Sequence, residues 1–307
     1  MRVFLDYLRH LIPLVKNGFT SYLNSSDAIL KRVATSPDRL LPFRQMAPTV
    51  IKAYTVIYSN KERLRTRAGL FNVLMFRGVF YGSPFASEDL VWFNDLEEWE
   101  SYYENSQKTA RGSDKSKKPT KERYFVCKTA YGPSLTSRST EVAAAYWEES
   151  KGWVEFLKTR HRAKEVFDWF LRKDKRGKKI FPNIGPLCAL LMLGDLMEAD
   201  GDYFTIPSSA TWGELVHELD KGAKNGLLTL GLLDEKASSI DTTQSFSELY
   251  QYLAEELDDE EKALIGFNTI MLEHGLCKRG RILPKKLKTK KKGKVTMMSS
   301  ARMGDKQ

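Results

Sequence analysis

Between Leu193 and Tyr203 the sequence LGDLMEADGDY sets Asp195, Glu198, Asp200 and Asp202 within eight residues. Carboxylate oxygens are the donors that magnesium and calcium prefer. A pair of such ions can activate water and steady the leaving oxygen of a phosphodiester, so this is the place where the chain offers catalytic chemistry. A metal-dependent enzyme of nucleic acids built on Asp195–Asp202 is therefore an alternative reading. The spacing is not that of an EF-hand, because putting Gly201 at the sixth loop position puts Leu196 at the first. A solvated helix end and acidic turn accounts for the same residues more simply, and no catalytic residue is assigned.

Other catalytic signatures are absent from the sequence. It has no GxxxxGK[ST] loop, no GxGxxG and no GxSxG, and HELDK at 217–221 lacks the second histidine of a zincin helix. The glycines of KGAKNGLLTLG, 221–231, read as a helix-turn-helix connection. His10, His161, His217 and His274 are scattered, as are Cys127, Cys188 and Cys277, so neither a metal site nor a cofactor is expected. Cys188 and Cys127 read as core thiols, and the three unpaired cysteines fit a reducing compartment.

The stronger signal is cationic. From residue 278 onward twelve Lys or Arg face one acid, Asp305, whereas the protein as a whole has a net charge of +10. Lys285, Lys286, Lys288, Lys290, Lys291, Lys292 and Lys294 form the dense part, with Leu287 the only large apolar side chain among them. So many like charges resist compaction, and the sequence predicts a disordered basic tail over 278–307. Clustered lysines displace counterions from a polyanion without reading its bases, and the same cluster serves as a nuclear import signal. Nucleic acid or a nuclear import receptor is thus the expected partner, with the nucleus favoured over the cytoplasm.

A second basic surface is expected over 158–179, KTRHRAKEVFDWFLRKDKRGKK, with ten cations against three acids. Its candidate contacts are Arg160, Arg162, Lys164, Arg172, Lys173, Lys175 and Arg176, interleaved with Phe167, Trp169 and Phe170, which could stack on bases or anchor a core.

These groups must be positioned by helices. Phe4, Leu8, Leu11, Ile12 and Val15 recur every three or four residues, Ser26-Asp27 is a cap signal, and Pro48 can open a helix. Thr211 and Glu214 have capping-box spacing. Trp147 to Leu171 suggests one long helix over about 139–173, YFVCKTA at 124–130 has strand character, and Gly275 marks a helix stop. The longest apolar run in the helical middle, LCALLML at 187–193, is far too short to span a bilayer, and no secretory leader is expected. The prediction is a mainly α, multi-helical body with a small β hairpin element. It divides into a helical lobe at 1–104, an irregular basic stretch at 105–135, a helical lobe at 136–277, and the tail at 278–307. The body reads as a binding or scaffold module, with a cytoplasmic protein-protein adaptor as a further alternative.

Overall fold

A computed structural model of the chain describes residues 1–106, 120–127 and 139–282. Among them lie eighteen α-helices and no sheet. They are α1 Arg2–Lys16, α2 Ala28–Thr35, α3 Pro37–Leu40, α4 Pro48–Val56, α5 Lys61–Leu64, α6 Arg67–Met75, α7 Pro84–Glu88, α8 Leu96–Asn105 and α9 Lys121–Phe125. After these come α10 Ala143–Glu149, α11 Lys151–Phe156, α12 Ala163–Phe170, α13 Pro186–Ala199, α14 Ser209–Leu219, α15 Ala223–Leu230, α16 Ser239–Glu256, α17 Asp259–Ile265 and α18 Thr269–Ile282. No helix among the described residues is long and apolar enough to cross a membrane.

The periodicity of α1 buries Phe4, Leu5, Leu8, Leu11 and Leu14 on one face, and Asp27 accepts the amides of Ile29 and Leu30 at 2.8 and 2.9 Å to start α2. The capping box expected at Thr211 is shifted, since Ser208 is the residue that accepts the Thr211 amide. One continuous apolar cluster runs from Phe4 on α1 to Ile282 on α18. Helix α18 sits inside that cluster. Ile270, Met271, Leu272 and Leu276 are buried, and so are its polar residues Glu273, His274, Lys278 and Arg279.

The expected stop at Gly275 is corrected, and with it the end of the folded body at residue 277. The helix runs on to Ile282 because Gly275 is a packing position, where an added Cβ would lie 3.3 Å from the Phe4 ring. A second close approach joins α15 to α18, since a Cβ on Gly226 would stand 2.6 Å from the Leu276 carbonyl oxygen. Gly226→Ala is therefore expected to destabilise the fold by about 1–3 kcal/mol through backbone displacement, read as a lowered urea midpoint. A midpoint unchanged or raised would mean that the two helices can separate freely.

Two further expectations are corrected. The single helix over 139–173 is instead α10, α11 and α12. Ser150 turns its hydroxyl onto the Tyr146 carbonyl at 2.6 Å, and buried Trp153 is pulled towards the Leu64 carbonyl, to which its indole donates at 3.0 Å. Segment 157–162 leaves the helix altogether because Tyr203 donates to the carbonyls of Leu157 and Thr159. The strand expected at 124–130 begins as helix, since Thr120 caps α9 through the Arg123 amide at 3.2 Å. Tyr124 and Phe125 then enter an aromatic cluster with Phe85 and Trp99, and residues 128–130 lie outside the described ones. An isolated antiparallel bridge pairs Lys173 with Lys179.

Candidate functional site

The acidic residues do not form one pool of oxygens. Asp195, in the middle of α13, is fully buried and clasped by two guanidiniums. Arg77 Nη2 reaches Asp195 Oδ1 at 2.6 Å, Arg44 donates both to that carboxylate and to the Leu191 carbonyl, and Tyr58 donates to Oδ2 at 3.0 Å. Arg77 is aimed there by a π-helical turn, Phe76–Phe80. Burial alone would push the Asp195 carboxyl up, but Arg44 and Arg77 outweigh it and hold it below the usual carboxylate range.

Asp200 is buried at the end of α13 and takes two hydrogen bonds of 2.7 Å from Arg65. Glu198 accepts from Tyr54 at 3.0 Å and from Asn268 at 3.2 Å, while Asp202 is ion-paired with Lys61 at the surface. The solvated turn expected here is therefore corrected for Asp195 and Asp200. Each of the four carboxylates is committed to a different protein donor, and no group of three or more His, Cys, Asp or Glu among the described residues could hold a metal ion.

The basic segment is divided by α12. Phe167, Trp169 and Phe170 are buried, so they are core anchors and present no stacking face. Lys164 bridges Asp168 at 2.5 Å and Glu218 at 3.2 Å. Arg172 lies half-buried over the Trp169 ring, its guanidinium carbon 3.8 Å from the centroid, and burial pushes its pKa down.

Beyond it the chain makes a tight turn. The Ile180 amide donates to the Arg172 carbonyl at 3.1 Å, the Asp174 amide to the Lys178 carbonyl at 2.8 Å, and Gly177 adopts φ +76°. The Asp174 carboxylate accepts the amides of Arg176 and Lys178 at 2.9 and 2.8 Å. This turn leaves Lys173, Lys175, Arg176, Lys178 and Lys179 exposed on a backbone stitched to itself. Arg160 and Arg162 are at the opposite end of α12, so the seven expected contacts do not share one face.

The tail lysines 285, 286, 288, 290, 291, 292 and 294 lie outside the described residues. The boundary assigned to that tail is corrected, because Lys278, Arg279 and Arg281 belong to α18. Lys278 is buried and donates to the carbonyls of Asp38 and Arg39 at 3.1 and 2.8 Å, and Arg279 donates to Thr229 at 3.1 Å. Residues 1–282 then hold 40 Lys or Arg against 38 Asp or Glu, so the body is slightly positive in its own right.

Lys278 also borders a void of about 20 Å³, shared with Glu273, His274, Cys277 and Arg281. Glu273 Oε1 is buried there without a hydrogen-bond partner. Burial pushes its pKa up to about 7, opposed by Arg44, Lys278 and Arg281, and burial pushes Lys278 down to about 7, with Arg281 adding to the effect. Reading the sequence missed this group and the partners of Asp195 alike, since neither carries a local motif.

Fold and surface together define an all-α body with a fixed cationic turn. Comparison with family models, with curated proteins and with solved structures returned no match.

Proposed function

We propose that this chain is a helical nucleic-acid-binding module that grips the phosphate backbone without reading base sequence. The observation that carries the reading is the Arg172–Ile180 turn. Five exposed cations project from it, while its one acid, Asp174, is already occupied by backbone amides. Cations carried on a fixed backbone lose less backbone entropy on meeting a phosphate than cations on an unstructured chain, so each contact retains more of its counterion-release gain. The lysine run 285–294 adds cations of the same kind. With Phe167, Trp169 and Phe170 buried, α12 itself offers no stacking face beside the turn, which favours backbone contact there.

The test is anisotropy with mixed-sequence oligonucleotides over roughly 50 to 200 mM salt, where neutralising about five phosphates gives a log–log slope near −4 to −5. Replacing Lys173, Lys175, Arg176, Lys178 and Lys179 with Ala is expected to make the slope shallower by about 3 to 4. It should do so equally in the full chain and in one ending at Ile282. A slope untouched by the five substitutions would remove the turn from the interface.

A further inference from the structure

At the N-terminal end of α12 the surface opens into a cleft of about 360 Å³, between segment 157–162 and residues 203–211. Its lining includes Arg160, His161, Arg162, Tyr203, Thr205 and Thr211, and no Asp or Glu. That exclusion is notable, because this wall is cut from a stretch, 195–220, that holds seven acids and no Lys or Arg.

The cationic wall is fixed. His161 stacks face to face on Phe156, with ring centroids 3.7 Å apart and planes within 1°, and its Nε2 contacts the Phe156 carbonyl. Tyr203 donates to the Thr159 carbonyl at 2.7 Å, tying the two walls together. The acids closest to the two arginines in sequence are taken up by partners other than the guanidiniums. Glu165 accepts the Arg162 amide at 2.7 Å and lies 3.6 Å from His161 Nδ1, and Lys164 holds both Asp168 and Glu218. Arg160 and Arg162 thus flank a concave site with their guanidiniums free of any acid partner among the described residues.

We propose that this cleft binds a phosphate monoester, the terminal phosphate of a nucleic-acid strand or the phosphate of a mononucleotide. Paired arginines present forked donors that suit a phosphate dianion, and the threonine hydroxyls complete a polar shell. The cleft has the volume of small-ligand pockets, larger than a lone phosphate fills, so an attached nucleoside fits beside the Tyr203 ring. As the route to a strand end, the proposal rests on the nucleic-acid reading and deepens it. The cationic turn, about 12 Å away along α12, would hold internal phosphates while the cleft holds the end.

Two titrations at near-physiological salt test it. The first compares a 5′-phosphorylated oligonucleotide with its 5′-hydroxyl twin, and the second compares adenosine 5′-monophosphate with adenosine, followed by NMR. The phosphorylated strand is expected to bind about tenfold more tightly than its twin, and Arg160→Ala with Arg162→Ala to abolish that preference while leaving the salt slope set by the turn. Preference for the monophosphate with equal strand affinities would identify the free nucleotide as the source. Equal affinities in both comparisons, or a phosphate preference that survives the double substitution, would overturn the site. Both arginines lie at the surface, and an unchanged circular dichroism spectrum establishes that the variant is folded. The two readings fail separately, because loss of salt-dependent binding concerns the turn and loss of end preference concerns the cleft.

Discussion

Asp195→Ala is expected to destabilise the protein by about 3–5 kcal/mol, a large fraction of the total stability of an ordinary fold. The carboxylate is fully buried between Arg44 and Arg77, whose side chains are themselves 2 % and 1 % exposed. Removing it leaves two guanidiniums in the interior, repelling one another, and takes away the carboxylate that both Arg44 and Arg77 bind. Asp200→Ala should cost less, because its partner Arg65 is 31 % exposed and water can solvate it.

Replacing all three members of the buried group with Leu or Met of similar volume should recover much of the loss, since desolvation of the charges is then avoided. Urea unfolding monitored by tryptophan fluorescence measures all of these variants. The metal-site reading predicts the opposite sign, because removing one carboxylate from a cluster of like charges relieves repulsion. A loss of less than about 1 kcal/mol in Asp195→Ala would mean that Arg44 and Arg77 do not depend on this carboxylate for their burial.

Glu273 is expected to make stability fall between pH 4.5 and about 7, by roughly 3 kcal/mol. In the unfolded chain the carboxyl ionises near 4.5, while in the fold burial keeps it protonated to about 7. Across that window the folded state holds the extra proton, so raising the pH favours unfolding, and above it the penalty is constant. Lys278 acts in the opposite sense. Its unfolded pKa of 10.5 falls to about 7 in the fold, so its penalty is complete below 7 and is relieved as the pH climbs from 7 to 10.5. The two contributions place a minimum near neutrality.

Urea midpoints at acidic, neutral and alkaline pH, taken for the parent, Glu273→Gln and Lys278→Met, separate the two groups. The Gln variant should lose the acid-side decline and the Met variant the alkaline-side recovery. If the difference between parent and Glu273→Gln were the same at pH 5 and pH 7, the buried carboxyl would not be titrating as described.

The helical class was legible because it is a local property. The spacing of Phe4, Leu8 and Leu11, the cap at Asp27 and the helix-opening Pro48 are written within a turn or two of where they act. The break at 157–162 was not, since it is made by Tyr203, far away in the chain, and the one at Ser150 was legible only in part, since its bond to Tyr146 is local while the pull on Trp153 comes from Leu64. The same reason hid the fate of the acidic cluster. Arg44 and Arg77 lie 151 and 118 residues from Asp195 and look like ordinary surface cations until the fold encloses them. The charge density of 158–179 was plain in the sequence. Its division was not, because only the eight-residue length of α12 shows that Arg160 and Arg162 stand at one end and the lysine turn at the other.

The central placing of α18 bears on how the chain comes into being. The ribosome makes this helix after every described element it packs against, including α1, α3 and α15. Until then its neighbours must wait with their inward faces bare. At roughly 5–20 residues per second that interval lasts on the order of ten seconds or more for the first helices. Closure of the core therefore waits for α18, and the inward faces of α1, α3 and α15 stay uncovered until it is made.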